Sequence, residues 1–379
     1  MGTKRKFGAA FRGLGRSGVP FSLFVAAGCQ GSNQQTNTLR NENSTIFNNT
    51  SDTIVSIALG TSSQTFKTPS SLYALGSAIK GPLENAVTFF DFNNDGLLNE
   101  FYTVNFDQDG NQTGTTIHLE PQARTNTFGY FEIYTTIHPN ANIQLSDGGI
   151  QKASEARLAT LSDDSTIDRS SNQALPGVLL TAPAGSTVIT PLTTLMDFAG
   201  LSSEQLKSVL NLDAEVPDLN TYNHYANESL AAAGLQIENF SQQFIATVTA
   251  YSGLLELSGL DANTAYQTTV NALADIAVDK LASGLTLKLN EAPDLDALKQ
   301  NLDEQLNTLN AENKSVFLEH SQSLNEGLTA LNANIATVTD LFTNEAKAQY
   351  SNVANLNQRV KTIISQNEDT FDFSSSDQS

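Results

Sequence analysis

Asp91-Phe92-Asn93-Asn94-Asp95-Gly96-Leu97-Leu98-Asn99-Glu100 is the segment whose residue types and spacing carry the clearest chemistry. Oxygen-bearing side chains at relative positions 1, 3 and 5, followed by Gly at 6, are how a chain wraps a hard cation. Alternate side chains turn inward and the Gly permits the sharp bend. Asn99 and Glu100 stand where they can close the shell. Asp91, Asn93, Asp95, Asn99 and Glu100 are therefore the expected ligands of a calcium ion. The Glu that closes helical calcium loops at position 12 is replaced by Tyr102, and β-type residues flank the loop, so a helix–loop–helix is not expected. A weaker pattern follows at Asp107-Gln108-Asp109-Gly110-Asn111, with Asp107 and Asp109 as ligands, either sharing one ion with the first loop or binding a second. The competing reading is a pair of Asx-Gly hairpin turns, which the same residues favour.

Other chemistries find less support. His118, His138, His224 and His320 are scattered, and zinc needs more convergent ligands than any of them offers. No HExxH, GxSxG or CxxC occurs, and Gly185-Ser186-Thr187 lacks the Lys and Gly spacing of a phosphate loop. Trp, the usual platform for sugars, is absent. No catalytic residue is assigned. The alternatives are an extracytoplasmic ligand- or glycan-binding protein and, behind it, a hydrolase built on a carboxylate pair.

Charge is divided unevenly. Lys4, Arg5, Lys6, Arg12, Arg16 and Arg40 stand among the first 40 residues with no acid, so the rest is more acidic than the whole-chain net charge of −20. Such a body repels nucleic acid, because phosphate binding needs clustered Lys and Arg. The basic start is followed by Gly18-Val19-Pro20-Phe21-Ser22-Leu23-Phe24-Val25-Ala26-Ala27-Gly28-Cys29, the order of a secretory signal. Ala26-Ala27-Gly28-Cys29 resembles a bacterial lipobox, which would make Cys29 the acylated first residue of the exported chain. Localisation is then the outer membrane or cell surface through a lipid anchor, or else periplasmic or secreted.

The elements that must position the loop are read from periodicity. Residues 1–29 are the signal segment and 30–52 a polar, disordered tether. Residues 53–146 are rich in short β-runs such as Ala86-Val87-Thr88-Phe89-Phe90 and form a calcium-loop β-sandwich. Residues 147–190 are a loop-rich connector, leading to helices from Pro191 with Thr190 as cap. Phe240, Phe244, Val248, Tyr251 and Leu255 share one helical face within the helical domain 191–292. Leu324, Leu328, Leu331, Ile335, Val338 and Phe342 form a heptad-like seam, and Leu295, Leu302, Leu309 and Val316 recur every seven residues. A long helical hairpin or stalk is expected over 293–366, packing internally or offering its seam to a partner or a second copy. A disordered tail follows over 367–379.

Two stretches carry a wider resemblance. Gly81-Pro82-Leu83-Glu84-Asn85-Ala86-Val87-Thr88-Phe89, the Asp-rich loop, and Arg124-Thr125-Asn126-Thr127-Phe128-Gly129-Tyr130-Phe131 together are similar to the carboxypeptidase-regulatory and Cna-B-like prealbumin sandwiches of bacterial surface proteins. The insert between Gly96 and Thr125 departs from that pattern. Leu179 to Leu195, containing Ala182-Pro183-Ala184-Gly185-Ser186-Thr187-Val188-Ile189-Thr190-Pro191-Leu192-Thr193-Thr194-Leu195, resembles a segment of RTX-type and cadherin-like adhesins. These resemblances imply surface placement, calcium and no enzyme activity. The expected fold class is α+β and multidomain, an Ig/prealbumin-like sandwich followed by a helical bundle with long, coiled-coil-like C-terminal helices.

Overall fold

A computed structural model describes residues 54–59, 62–67, 71–213, 215–226, 231–308, 314–368 and 370–374. The expected signal segment, Cys29 and the tether 30–52 lie outside them. The strands in chain order are β1 (Ile54–Leu59), β2 (Ser62–Lys67), β3 (Tyr73–Ala78), β4 (Leu83–Glu84), β5 (Val87–Asp91), β6 (Glu100–Phe106), β7 (Gln112–Leu119) and β8 (Gln122–Arg124). They continue with β9 (Tyr130–Tyr134), β10 (Asn142–Gln144), β11 (Ile150–Lys152), β12 (Arg157–Leu161), β13 (Ile167–Asp168), β14 (Gln173–Ala174), β15 (Leu179–Ala182) and β16 (Val188–Ile189). The helices are α1 (Pro191–Ala199), α2 (Ser203–Val209), α3 (Ala231–Leu257), α4 (Ala262–Ser283), α5 (Ala292–Thr308), α6 (Lys314–Ala336), α7 (Asn344–Ser351) and α8 (Leu356–Ser365). The class is α+β, with the strands first. None of the described helices is long and apolar enough to cross a membrane.

β5 is buried at all five positions because it is central, with β12 on one side and β8 on the other in the order β15-β12-β5-β8. A strand covered on both faces reads as a continuous apolar run, which Val87-Thr88-Phe89-Phe90 supplies. A second sheet runs β11-β10-β6-β7, a third β14-β13-β4, and a fourth β16-β3-β9 with β16 parallel to β3.

The stretch 147–190, expected as a connector, carries β11 to β16 and enters all four of these sheets. Its strands are only two to five residues long, below the length at which alternation shows in a sequence.

One apolar core extends from Leu72 through the sheets and helices to Phe373. The junction is tight because β15 and β16 feed directly into α1. Thr190 accepts from the Thr193 amide as N-cap, Pro191 opens the helix, and Thr194 Oγ1 donates to the Thr181 carbonyl of β15 at 3.2 Å. On α4, the Tyr266 hydroxyl donates to the Leu179 carbonyl.

α3 is the central helix. The expected face, Phe240, Phe244, Val248, Tyr251 and Leu255, is buried, but so is most of the opposite side. Small residues allow this; Gly253 lies against the Asn357 backbone of α8, where a β-carbon would collide.

The seam Leu324, Leu328, Leu331, Ile335 and Val338 is buried inside this chain's own bundle, while Phe342 is 71% exposed. Leu309 lies outside the described residues. Where a long helical hairpin or stalk is expected, the described residues of 293–366 carry four helices, α5 to α8. Thr343 caps α7, and Asn355, at φ 56°, turns the chain into α8. Residues 370–374, expected to fray, instead bury Phe371 and Phe373. Arg359 stands 5.3 Å over the Phe373 ring, and the Phe371 backbone lies against Gly327.

A candidate cation loop and a buried polar hub

Asp91 closes β5 opposite Arg157 of β12, and this register determines its partner. Asp91 is fully buried; its Oδ2 accepts from Arg157 Nε at 2.7 Å and Nη2 at 2.6 Å, and from the Gly96 amide at 2.9 Å. Its Oδ1 accepts from the Asp95 amide at 3.1 Å. Asn94 at φ 60° and Gly96 at φ 73° bend the chain back over it.

Asn93, Asp95 and Asn99 turn toward one another. Asn93 Nδ2 donates to Asp95 Oδ2 at 3.0 Å, Asn99 Oδ1 at 3.1 Å and the Glu100 carbonyl at 3.4 Å. Asn99 Nδ2 donates to the same Asp95 Oδ2 at 2.7 Å. Three oxygens thus surround a single nitrogen, and turning the Asn93 amide over would place a fourth oxygen there. The Glu100 side chain is exposed and contributes only its carbonyl.

Glu120, not named from the sequence, completes the loop from below. It follows β7, is 4% exposed, and accepts from the Phe92 amide at 2.8 Å and the Asn99 amide at 3.3 Å. Burial pushes its carboxyl up to about 8, with the charges of Asp91 and Asp95 adding to the effect. Burial likewise raises Asp91, against the opposing pull of Arg157. Of the three carboxylates Asp91, Asp95 and Glu120, Asp91 is the one paired with the Arg157 guanidinium, which it shares with Asp197.

The oxygen donors suit a hard cation, but with one carboxylate, two amides and a carbonyl they fit a weak site. Among the described residues no three His, Cys, Asp or Glu side chains gather as a metal-holding group. Asp91 is committed to Arg157.

The loop is bolted to the helices. Gln267 of α4 donates to the Asp95 carbonyl at 2.8 Å, and Arg157 reaches Asp197 of α1 at 3.1 Å.

The second motif differs. Asp107 Oδ1 accepts from the Asp109 and Asn111 amides at 2.9 and 2.8 Å, nucleating the β6–β7 hairpin tip in solvent. Hydrogen bonds from Asn111 hold the Asp107 carboxyl below its ordinary range. The two loops sit at opposite ends of β6, about 20 Å apart at the rise of a strand, and so do not share an ion.

Sequence reasoning also missed a buried hub between sheet and helix. Lys80 Nζ meets Asp168 Oδ2 at 2.5 Å with both side chains 1% exposed. Ser170 and Ser171 hydroxyls donate to Asp168 at 2.7 and 2.8 Å. Gln242 of α3 donates to Ser170 Oγ at 3.0 Å and to Glu238 at 2.6 Å, and Glu238 pairs with His224 at 3.0 Å. Burial opposes ionisation of Asp168, but Lys80 and the Ser170 donors outweigh it and hold the carboxyl below its usual range. The only signal in the sequence was Asp168 followed two and three residues on by Ser170 and Ser171.

A pocket of about 260 Å³ lies where Leu175–Gly177 meets α3, α4 and the start of α8. Its lining includes Leu175, Pro176, Val353 and Leu356, and two of its polar side chains are engaged within the protein: Glu256 by Asn357 and Lys361, Ser252 by the Val248 carbonyl. Comparison with protein-family models, curated proteins and solved structures finds no match.

Proposed function

We propose that the chain is an exported, non-catalytic surface protein of structural or adhesive type, in which a calcium ion in the Asp91–Glu100 loop braces the strand-rich half against the helices. The observation that carries this reading is the convergence of Asn93, Asp95, Asn99 and the Glu100 carbonyl beside the buried carboxyl of Glu120. A cation there would offset the negative charge that burial makes costly. Because Gln267 and Arg157 tie the loop to α4 and α1, stiffening it stiffens the junction. The same reading takes the strand-rich half as a modified Ig/prealbumin-like sandwich, and placement at the surface rests on the signal-like order ending at Cys29.

One carboxylate in the donor set implies affinity in the millimolar range typical of extracellular modules, about 10⁻⁴–10⁻³ M. Saturating calcium should raise the melting temperature by about 2–4 °C, chelator should reverse it, and Asp95→Asn should abolish the response. A chain that melts at one temperature with calcium and with chelator would sink the proposal.

A further inference from the structure

On the sheet β16-β3-β9, Tyr73 and Tyr134 stand directly opposite one another on antiparallel strands. Their ring centroids are 4.9 Å apart and the planes are tilted by 41°, so the rings form an open wedge. Tyr134 is 70% exposed. Both hydroxyls donate to one oxygen of Glu132, Oε1, Tyr73 at 2.8 Å. The second oxygen is thereby left for an outside donor. Hydrogen bonds from Tyr134 and Tyr73 hold the Glu132 carboxyl below its ordinary range. Leu75, opposite Glu132 in the register, adds an exposed aliphatic patch beside the pair. No Lys or Arg occurs on either strand to neutralise the carboxylate.

We propose that this face of β3 and β9 binds a basic side chain, an arginine or lysine, presented by a protein partner. Each part of such a side chain has its counterpart here. The cationic head takes the outward oxygen of Glu132 and the electron-rich faces of the two tyrosines. The aliphatic stem lies along Leu75. Charge complementarity argues for a cation over a neutral sugar, because the partner approaches a chain of net charge −20 and an ionised carboxylate framed by rings. The site is independent of the cation loop, and it gives the adhesive reading a recognition chemistry.

The test uses the full chain in chelator, labelled with ¹³C at tyrosine, so that the state of the cation loop does not enter. A blocked Gly-Arg-Gly peptide is titrated, then the same peptide with citrulline in place of arginine, which removes the charge and keeps the shape. Maltotriose tests the sugar reading. The Tyr73 and Tyr134 resonances, identified by Phe substitution, should shift saturably with the arginine peptide alone and weaken as salt rises. Glu132→Gln and Tyr134→Leu should each weaken binding by about fivefold, with melting temperatures confirming that both variants fold. Equal shifts with citrulline or maltotriose would overturn the proposal. So would wild-type affinity in both variants, or no shift at either tyrosine.

Discussion

The two acidic loops at the ends of β6 share a local grammar and have different fates. In each, an Asp carboxylate gathers the amides of residues that follow it, and a Gly at positive φ completes the bend. At the hairpin tip nothing more is added: Asp107 lies in water and its bonds serve the turn. At Asp91 the same turn is covered by the sheet, faced by Glu120 and clasped by Arg157 and Gln267. Water screens the first set of charges, whereas burial obliges the second to find partners. The difference shows that a cation motif acquires its electrostatic weight from what is packed around it.

The contrast can be broken at Arg157. Arg157→Leu leaves Asp91 buried without its counter-charge and should cost about 3–5 kcal/mol in urea unfolding. An effect no larger than that of a surface pair would mean that the Asp91 site is not dry.

Glu120 offers a pH test. The folded chain holds this proton up to about 8, whereas an unfolded Glu releases it near about 4.3. Between those values the folded state carries more protons, so stability in chelator should fall as pH rises through the window, by on the order of a few kcal/mol. Glu120→Gln should flatten that slope relative to wild type. A wild-type curve that rises over the same range would contradict the buried, proton-holding carboxyl.

The smallest effect is expected at the other loop. Asp107→Ala should lower stability only slightly through the lost turn bonds, with no change in the response to calcium. A calcium response lost along with Asp107 would make the hairpin tip the cation site and reverse the comparison.

Several features were legible because their causes are local. Thr190-Pro191 announced the start of α1, and the apolar spacing from Phe240 to Leu255 announced α3. The run Ala86-Val87-Thr88-Phe89-Phe90 before Asp91 marked a strand, which is β5. The packing of residues 370–374 was not legible because Asn, Asp, Glu and Ser outnumber Phe371 and Phe373, although two aromatics suffice to dock a short segment. The hub was invisible because Lys80, Asp168, His224 and Glu238 are spread across the chain, and no periodicity links them.

By itself the sequence determined where the chain turns, which runs are helical and where oxygen-bearing side chains can wrap a cation. All of these follow from backbone preferences and side-chain bonds spanning a few residues. Tertiary structure alone decided that Arg157, 66 residues away, would face Asp91, that Glu120 would rise beneath the loop, and that the leucine seam of α6 would turn inward. The reason is that burial and charge compensation depend on strand register and helix packing, which bring together residues that no local pattern connects.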